Sequence, residues 1–294
     1  MIGFLVTPFE RPYMARALVE AVLLGALCGA VGVYVLLRRL AFLTDAITHT
    51  VFPGVVVGFL ASGRSGIVPG ALVCAVVAVG LFTAVAATRK VNEDATLAVL
   101  LTAFFAVGVV LVSRQRSYTA DLTAFLFGHV LTIKVADIAV TGAVAVLAGL
   151  VLVGLGKELL LRAFDAQWAR AVGYHVTALD LVGNMVIALV VVASVQAVGT
   201  VLVIAMLVVP AATARLLSDR LGVIIAVAMG VGMTGAWLGL CASYEASVGH
   251  DVRLAAGATI VLMLVAGYAL VQLGQSAWRL GIRRQGVRRA GAGT

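Results

Sequence analysis

Asp45 and His49 are the two residues of this sequence whose types and spacing could do chemistry. A spacing of four places both side chains on one face of a helix, about one turn apart. A carboxylate oxygen and an imidazole nitrogen suit a divalent first-row metal ion such as Mn²⁺, Fe²⁺ or Zn²⁺. Both residues lie in an apolar segment, where ionisable side chains usually face a partner or a hydrated pathway. The pair therefore predicts a metal site; the alternative is that the two side chains bond each other or neighbouring helices and only fix packing.

Two prolines indicate helix breaks near this pair. Pro53, which is followed by Gly54, lacks the N–H that would bond the carbonyl of His49 in a continuous helix. Pro210 would likewise release the carbonyl of Met206. Backbone groups without helix bonds are tolerated at membrane depth where they are buried in protein or line a cavity. The carbonyl of His49 could thus line one short hydrated stretch together with the two side chains of the pair.

The composition places these residues in a membrane protein. The chain has 294 residues, of which 63% are hydrophobic and 12% charged. A soluble chain is about 45–50% apolar and about 25% charged. The composition excludes a soluble domain, a disordered chain, collagen and a disulfide scaffold. It predicts an all-α polytopic membrane protein with eight or nine transmembrane helices, formed as one domain over residues 1–294.

Nine apolar runs are each long enough to span about 30 Å of hydrocarbon. The stretch 176–217 is too long for one span, so a tight hairpin or a broken helix must divide it near Gly199. The runs cover residues 17–37, 41–61, 66–88, 95–113, 133–155, 176–197, 199–217, 221–243 and 254–275.

The basic residues predict how the chain is oriented. The connections at 38–40, 89–94, 156–175 and 214–220, together with the tail 279–294, hold 14 of the 21 basic residues. Because Lys and Arg concentrate in cytoplasmic loops, this distribution favours an outside N-terminus and a cytoplasmic C-terminus. The basic tail is typical of an anchor on anionic lipid, so the net charge of +8 does not indicate nucleic acid.

The segment 156–175 is the longest non-membrane piece between runs. Phe164, Trp168 and Val172 form an apolar stripe at helical spacing. Asp165 and Arg170 lie off this stripe, and Gly173 is placed to end the helix. Together with Phe164 and Trp168, these three residues are the candidates for contact with a partner. A helix lying on lipid and a helix docking into a partner remain equally favoured by the residues alone.

Other polar residues in the runs have ordinary structural explanations. Arg16 and Glu20 are spaced as a helical ion pair, and mutual neutralisation is the expected role. Asn184, Ser194 and Gln196 are expected to form hydrogen bonds between helices. The sequence contains no phosphate-binding glycine loop of the type G-x-x-x-x-G-K-[ST], no zinc-protease motif and no nucleophile elbow. ATP-driven transport would therefore need a separate ATPase subunit.

Five blocks of the chain, in order, resemble the integral membrane permeases of bacterial ABC importers for manganese, zinc and iron. The blocks are RRLAFLTDAITHTVFPGV, NEDATLAVLLTAFFAVGVVL, DLTAFLFGHVL, FDAQWARAVGY and LVVPAATARLLSDRL.

This resemblance implies a type II ABC-importer-like permease in the bacterial cell membrane. It implies a homodimer with the pathway on its two-fold axis, two cytoplasmic ATP-binding subunits and an extracytoplasmic metal-binding lipoprotein. The family's intramembrane ligands match Asp45 and His49, and its coupling helix matches about Phe164–Gly173. An outer hairpin helix matches Leu122–Leu131, in which a metal contact by His129 stays open.

The VFPGV block after His49 resembles the manganese branch, so manganese is the first expectation, with zinc and ferrous iron as alternatives. The chain itself is expected not to be an enzyme, and ATP would bind the partner subunit. Two other functions stay open from the residues alone. One is a proton-coupled carrier that needs no partner. The other is a membrane enzyme with a catalytic metal, for which the sequence offers no nucleophile.

Overall fold

The computed structural model describes residues 7–88, 90–113, 133–249 and 254–291. In these ranges the chain is built of helices and short connections, without a β-strand. Short 3₁₀ turns lie at Thr7–Glu10 and Gly63–Gly66. The α-helices of these ranges are α1 (Pro12–Leu37), α2 (Ala41–Thr50), α3 (Phe52–Ser62), α4 (Ile67–Ala87), α5 (Glu93–Ser113), α6 (Val135–Gly154), α7 (Gly156–Phe164), α8 (Ala166–Ala171), α9 (Val176–Val198), α10 (Thr200–Leu217), α11 (Leu221–Gly249) and α12 (Ala256–Gly291).

Nine stretches of the described chain are long and apolar enough to cross a membrane, which confirms the upper of the two expected numbers. Helices α2 and α3 together form one of them, Ala41–Ser62. The predicted division near Gly199 is also confirmed. Gly199 has a φ of 83°, which a glycine adopts without steric cost, and α9 ends on one side of it while α10 begins on the other.

Helix α1 lies at the centre of one group of helices, packed against α10 and α11. Small residues allow this close approach: a Cβ at Gly29 would lie 2.7 Å from the carbonyl oxygen of Ala228. In a second group, α3 packs on α4, while α5 packs on α2 and α3. Helix α9 contacts α1, α2 and α4, and so joins the two groups. The helix that carries the candidate metal ligands is thus held from both groups.

The two prolines behave differently. Helix α2 ends at Thr50, and α3 begins at Phe52. The helix break expected near Pro53 is therefore present, and it lies at Val51. Pro53 lies in the first turn of α3, where N–H groups lack an intrahelical partner in any case. The break expected at Pro210 is absent, because α10 continues through it. Pro210 is buried, and packing of α10 against α1, α11 and α12 keeps the helix intact.

The segment 156–175, hereafter the connecting segment, contains α7 and α8 rather than one helix starting at Phe164. Asp165 causes the division: its backbone is extended, and its Oδ1 accepts hydrogen bonds from the N–H groups of Gln167 and Trp168 at 2.8 and 2.9 Å. Gly173 has a φ of 98° and ends the second helix, as predicted. Phe164 and Trp168 are 75% and 55% exposed.

Candidate metal-binding site

Helix α2 places Asp45 and His49 on its one open face. Six of its ten residues are buried against other helices: Leu43, Thr44, Ala46, Ile47, Thr48 and Thr50. The side chains of Asp45 and His49 instead remain 39% and 34% exposed. The spacing of four therefore brings the two residues together on one face, as the sequence predicts.

The two side chains lie within ion-pair distance of each other without forming a hydrogen bond. The Nε2 atom of His49 lies 3.6 Å from Oδ1 of Asp45, which is too far for a hydrogen bond. Two ligand atoms that each lie about 2.1 Å from one metal ion are about 3.0–3.4 Å apart in octahedral or tetrahedral geometry. A contraction of a few tenths of an ångström would let both atoms hold the same ion.

The pair is bordered by an aromatic ring of α5 and by threonine hydroxyls of α2 that are bonded to the backbone. The ring of His49 meets the ring of Phe105 edge-on, with centroids 5.8 Å apart. The hydroxyl of Thr48 donates to the backbone carbonyl of Asp45 at 2.7 Å, and Thr44 donates to Ala41 in the same way. The threonine hydroxyls of α2 thus bond to carbonyls of their own helix and not to the side chains of Asp45 and His49.

The described residues of one chain bring together only part of a coordination shell. Within the described ranges no group of three or more His, Cys, Asp or Glu side chains lies close enough to hold a metal ion. The pair opens at the surface of the single chain beside α5, whose Val99, Phe105 and Val110 are also exposed. His129 and the helix expected at Leu122–Leu131 lie outside the described residues.

The ion pair expected between Arg16 and Glu20 is not formed. Arg16 is exposed, and its Nε donates to the carbonyl of Pro12 at 3.3 Å. Glu20 is fully buried, and its Oε1 accepts a hydrogen bond from the Thr141 hydroxyl at 2.6 Å. The side chain points into the bundle because α6 packs along this face of α1. Its Oε2 atom has no hydrogen-bond partner among the described residues.

We expect Thr141→Val to destabilise the folded protein by about 1–3 kcal/mol, because it leaves both carboxyl oxygens of Glu20 buried without a partner. The matched control is Thr102→Val, since the Thr102 hydroxyl is exposed and bonds only to Ala98 of its own helix. The measurement is the free energy of unfolding in detergent. Equal values for the two variants would contradict a structural role for the Glu20–Thr141 bond.

Polar contacts between helices are partly as expected. Asn184 donates to the Thr83 hydroxyl of α4 at 3.3 Å, which confirms its expected bond between helices. Ser194 donates to the carbonyl of Val190 in its own helix at 2.6 Å, and its hydroxyl also forms a hydrogen bond with the Cys28 thiol of α1 at 4.0 Å, which confirms its expected bond between helices. The Gln196 side chain lies outside the described residues.

Sequence reasoning missed Asp180, which is paired with Arg38 and Arg162 at one end of the bundle. An acidic residue in the first turns of an apolar run is a signal that could have drawn attention to it. Its partners could not be identified that way, because they come from distant parts of the chain.

The described residues contain nine stretches long and apolar enough to cross a membrane, which indicates a multi-pass membrane protein, and the ionisable pair that opens to the surface within one of them is typical of a transport pathway. Residues 10–274 match the ABC 3 transport family. The chain is 38% identical over 258 residues to the manganese transport system membrane protein MntC of Halalkalibacterium halodurans, covering 88% of this chain and 86% of that protein.

Two further proteins extend this comparison. The chelated iron transport system membrane protein YfeC of Yersinia pestis is 32% identical, with 79% of this chain and 78% of that protein covered. A solved structure described as PsaBC from Streptococcus pneumoniae in complex with Fab matches with a TM-score of 0.78 and 30% identity. That match covers 92% of this chain and 95% of the other. The chain belongs to the ABC 3 transport family.

Proposed function

We propose that this chain is the membrane permease of an ATP-driven importer for divalent transition-metal ions, with manganese as the principal substrate. The observation that carries the proposal is the Asp45–His49 pair, which lies in the second span with an interatomic distance near that of two ligands on one ion. Ionisable groups inside a span are costly and are typical of ion pathways. Membership of the ABC 3 transport family supports this function.

A second copy of the chain would complete the site. The Asp45 side chain is 39% exposed at the surface of a single chain, and a carboxylate facing hydrocarbon is unfavourable by several kcal/mol. A homodimer joined at this face would cover the pair and place two carboxylates and two imidazoles around one axis. The exposed apolar residues of α5 beside His49 would form the contact around it. Such a ring could replace the water shell of a divalent ion as it crosses.

Manganese is favoured over zinc and ferrous iron by similarity. The MntC relative is named for manganese transport, and YfeC for chelated iron. The ligand chemistry admits all three ions, because one oxygen and one nitrogen ligand per chain give intermediate hardness. Zinc and ferrous iron therefore remain the alternative substrates of the same pathway.

Energy would come from two ATP-binding subunits docked on the connecting segment. The segment presents Phe164 and Trp168 outward, and Asp165 fixes the start of the helix that carries Trp168. Arg170 and Gly173 complete this surface. A docking face of this kind, an exposed apolar stripe on a short helix, suits a groove on a protein partner. The connecting segment and the C-terminus would lie in the cytoplasm, and a metal-binding lipoprotein would deliver the ion outside.

The test is metal uptake by liposomes that contain the permease together with its ATPase and binding-protein subunits. We expect ATP-dependent uptake of manganese, and weaker uptake of zinc and ferrous iron at equal free concentration. The permease alone, given a pH gradient, should take up no metal. Uptake driven by the pH gradient without the ATPase would instead establish a proton-coupled carrier. Failure of the full complex to move any of the three ions would refute metal transport.

A further inference from the structure

Three charged side chains from separate parts of the chain meet at the end of the bundle that carries the connecting segment. Arg162 of α7 donates from Nη2 to Oδ2 of Asp180 at 2.8 Å, and Arg38 donates from Nη1 to Oδ1 of the same carboxylate. The side chains of Arg38, Arg162 and Asp180 are only 5%, 15% and 18% exposed. One carboxylate thus joins two guanidinium groups away from bulk water, where charge pairs are strong but costly to break.

Arg38 is tied closely to the helix with the metal ligands. Only residues 38–40 connect α1 to α2, and the N–H of Leu40 bonds back to the carbonyl of Val35 at 2.9 Å. Leu40 is buried, and its carbonyl accepts a bond from the N–H of Thr44 in the first turn of α2. Asp45 is the next residue along that helix. Because this short connection is fixed by backbone hydrogen bonds, a displacement of Arg38 would also displace the helix that carries Asp45 and His49.

Arg162 is tied in the same way to the connecting segment. It lies in the last turn of α7, which is anchored by the buried Leu159. Helix α8 follows after Asp165 alone and presents Trp168 outward. Asp180 stands on α9, which packs against α2 as well as α7. A force applied at the exposed face of the connecting segment would reach Asp180 through Arg162.

A polar cavity of about 340 Å³ lies beside these three residues. It is lined by three guanidinium groups and two carboxylates, those of Asp180 and Glu93, so positive charge is in excess. Such a cavity is a poor route for a divalent cation. Its buried Nε of Arg162 and Oδ1 of Asn184 have no partner among the described residues and suit bonds to water. Water at this place would let the charge pairs exchange partners when the helices move.

We propose that the Arg162–Asp180–Arg38 bridge is the link that couples movement of the connecting segment to the metal-binding helix α2. The three are positioning residues, since none of them belongs to the Asp45–His49 pair that would hold the ion. This inference rests on the proposed function and deepens it. The bridge would transmit ATP-driven movement, while metal binding itself would depend on Asp45 and His49.

The experiment compares Asp180→Asn with the unsubstituted protein in the complete complex with its ATPase and binding protein. We expect the variant to assemble, bind manganese with unchanged affinity and hydrolyse ATP. The number of manganese ions moved per ATP should fall at least tenfold. Asp219→Asn is the matched control, because the Arg215–Asp219 pair is exposed and has a similar distance of 2.7 Å. Its ratio should not change.

A second variant separates coupling from folding. Arg162→Gln removes one charge while leaving Asp180 paired with Arg38, and it should lower the same ratio. The double variant should then be no worse than Asp180→Asn alone, because both changes break one bridge. A normal ratio in either assembled variant would overturn the proposal, and so would failure of both to assemble. Failure of the unsubstituted complex to move metal would count against the proposed function instead.

Discussion

Replacing either Asp45 or His49 by alanine should reduce manganese uptake by at least about 100-fold, because loss of even an outer-shell partner of a metal ligand costs about 10–100-fold. Asp45 supplies the only carboxylate of the pair, and His49 the only imidazole. In a homodimer each substitution removes two ligands at once. Uptake of radioactive manganese by the complete complex, at a metal concentration near that giving half-maximal uptake, is the measurement.

Phe42→Ala provides the control for this substitution. Phe42 lies three residues before Asp45 on the same open face of α2, is 38% exposed and offers no ligand atom. Phe42→Ala changes the same face of α2 but removes no metal ligand. Manganese uptake should therefore remain within about twofold of that of the unsubstituted protein. Co-purification with the ATPase should be normal for all three variants. Uptake at the normal rate by folded Asp45→Ala protein would reject this site.

A variant that exchanges ligand type tests the choice of metal. In His49→Asp the pair would offer oxygen alone, which favours manganese over zinc, since imidazole suits zinc while carboxylate suits manganese. The ratio of manganese to zinc uptake should therefore rise, even where total uptake falls. An unchanged ratio would show that selectivity resides outside the pair.

The parts of this structure that follow from local rules could be predicted from the sequence. Apolar length gives the nine spans, and a spacing of four gives the shared face of Asp45 and His49. Gly199 and Gly173 end helices at the predicted places, since both have positive φ angles. In each of these cases the deciding interaction lies within a few residues along the chain.

What could not be predicted depends on contacts between distant segments. Asp180 pairs with Arg38, which lies 142 residues away in the sequence, and no local pattern connects them. Glu20 turns from Arg16 toward Thr141 because α6 packs beside it, a contact over 121 residues. Helical spacing permits the Arg16–Glu20 pair, but packing decides which partner is reached. The intact helix at Pro210 has the same origin in its neighbours.

The approach of α1 to α10 leads to the second large effect. Gly32 lies against Leu207, and a Cβ at Gly32 would stand 1.9 Å from the Leu207 carbonyl oxygen. Backbone atoms cannot rotate away as a side chain does, so the helices would have to separate. Overpacking of a tight contact costs about 1–3 kcal/mol, and a clash with backbone belongs at the upper end. We expect Gly32→Ala to lower the stability of the protein by about 3 kcal/mol, and Gly32→Val to prevent folding.

Gly142→Ala is the control that isolates the close approach from the change in helix propensity. Gly142 also lies inside a helix, α6, but a Cβ there would have no neighbour within 4 Å. Alanine favours a helix over glycine by about 0.5–1 kcal/mol, so this variant should be as stable as the unsubstituted protein or slightly more so. Thermal unfolding in detergent measures both. Leu207 follows Met206, and the Met206 carbonyl lacks a helix donor because Pro210 has no N–H. Helix α10 thus lacks one hydrogen bond near this contact, and its separation from α1 at Gly32 would also loosen its packing on α2. A Gly32→Ala protein that unfolds at the same temperature as Gly142→Ala would show that α1 and α10 are not held at this distance.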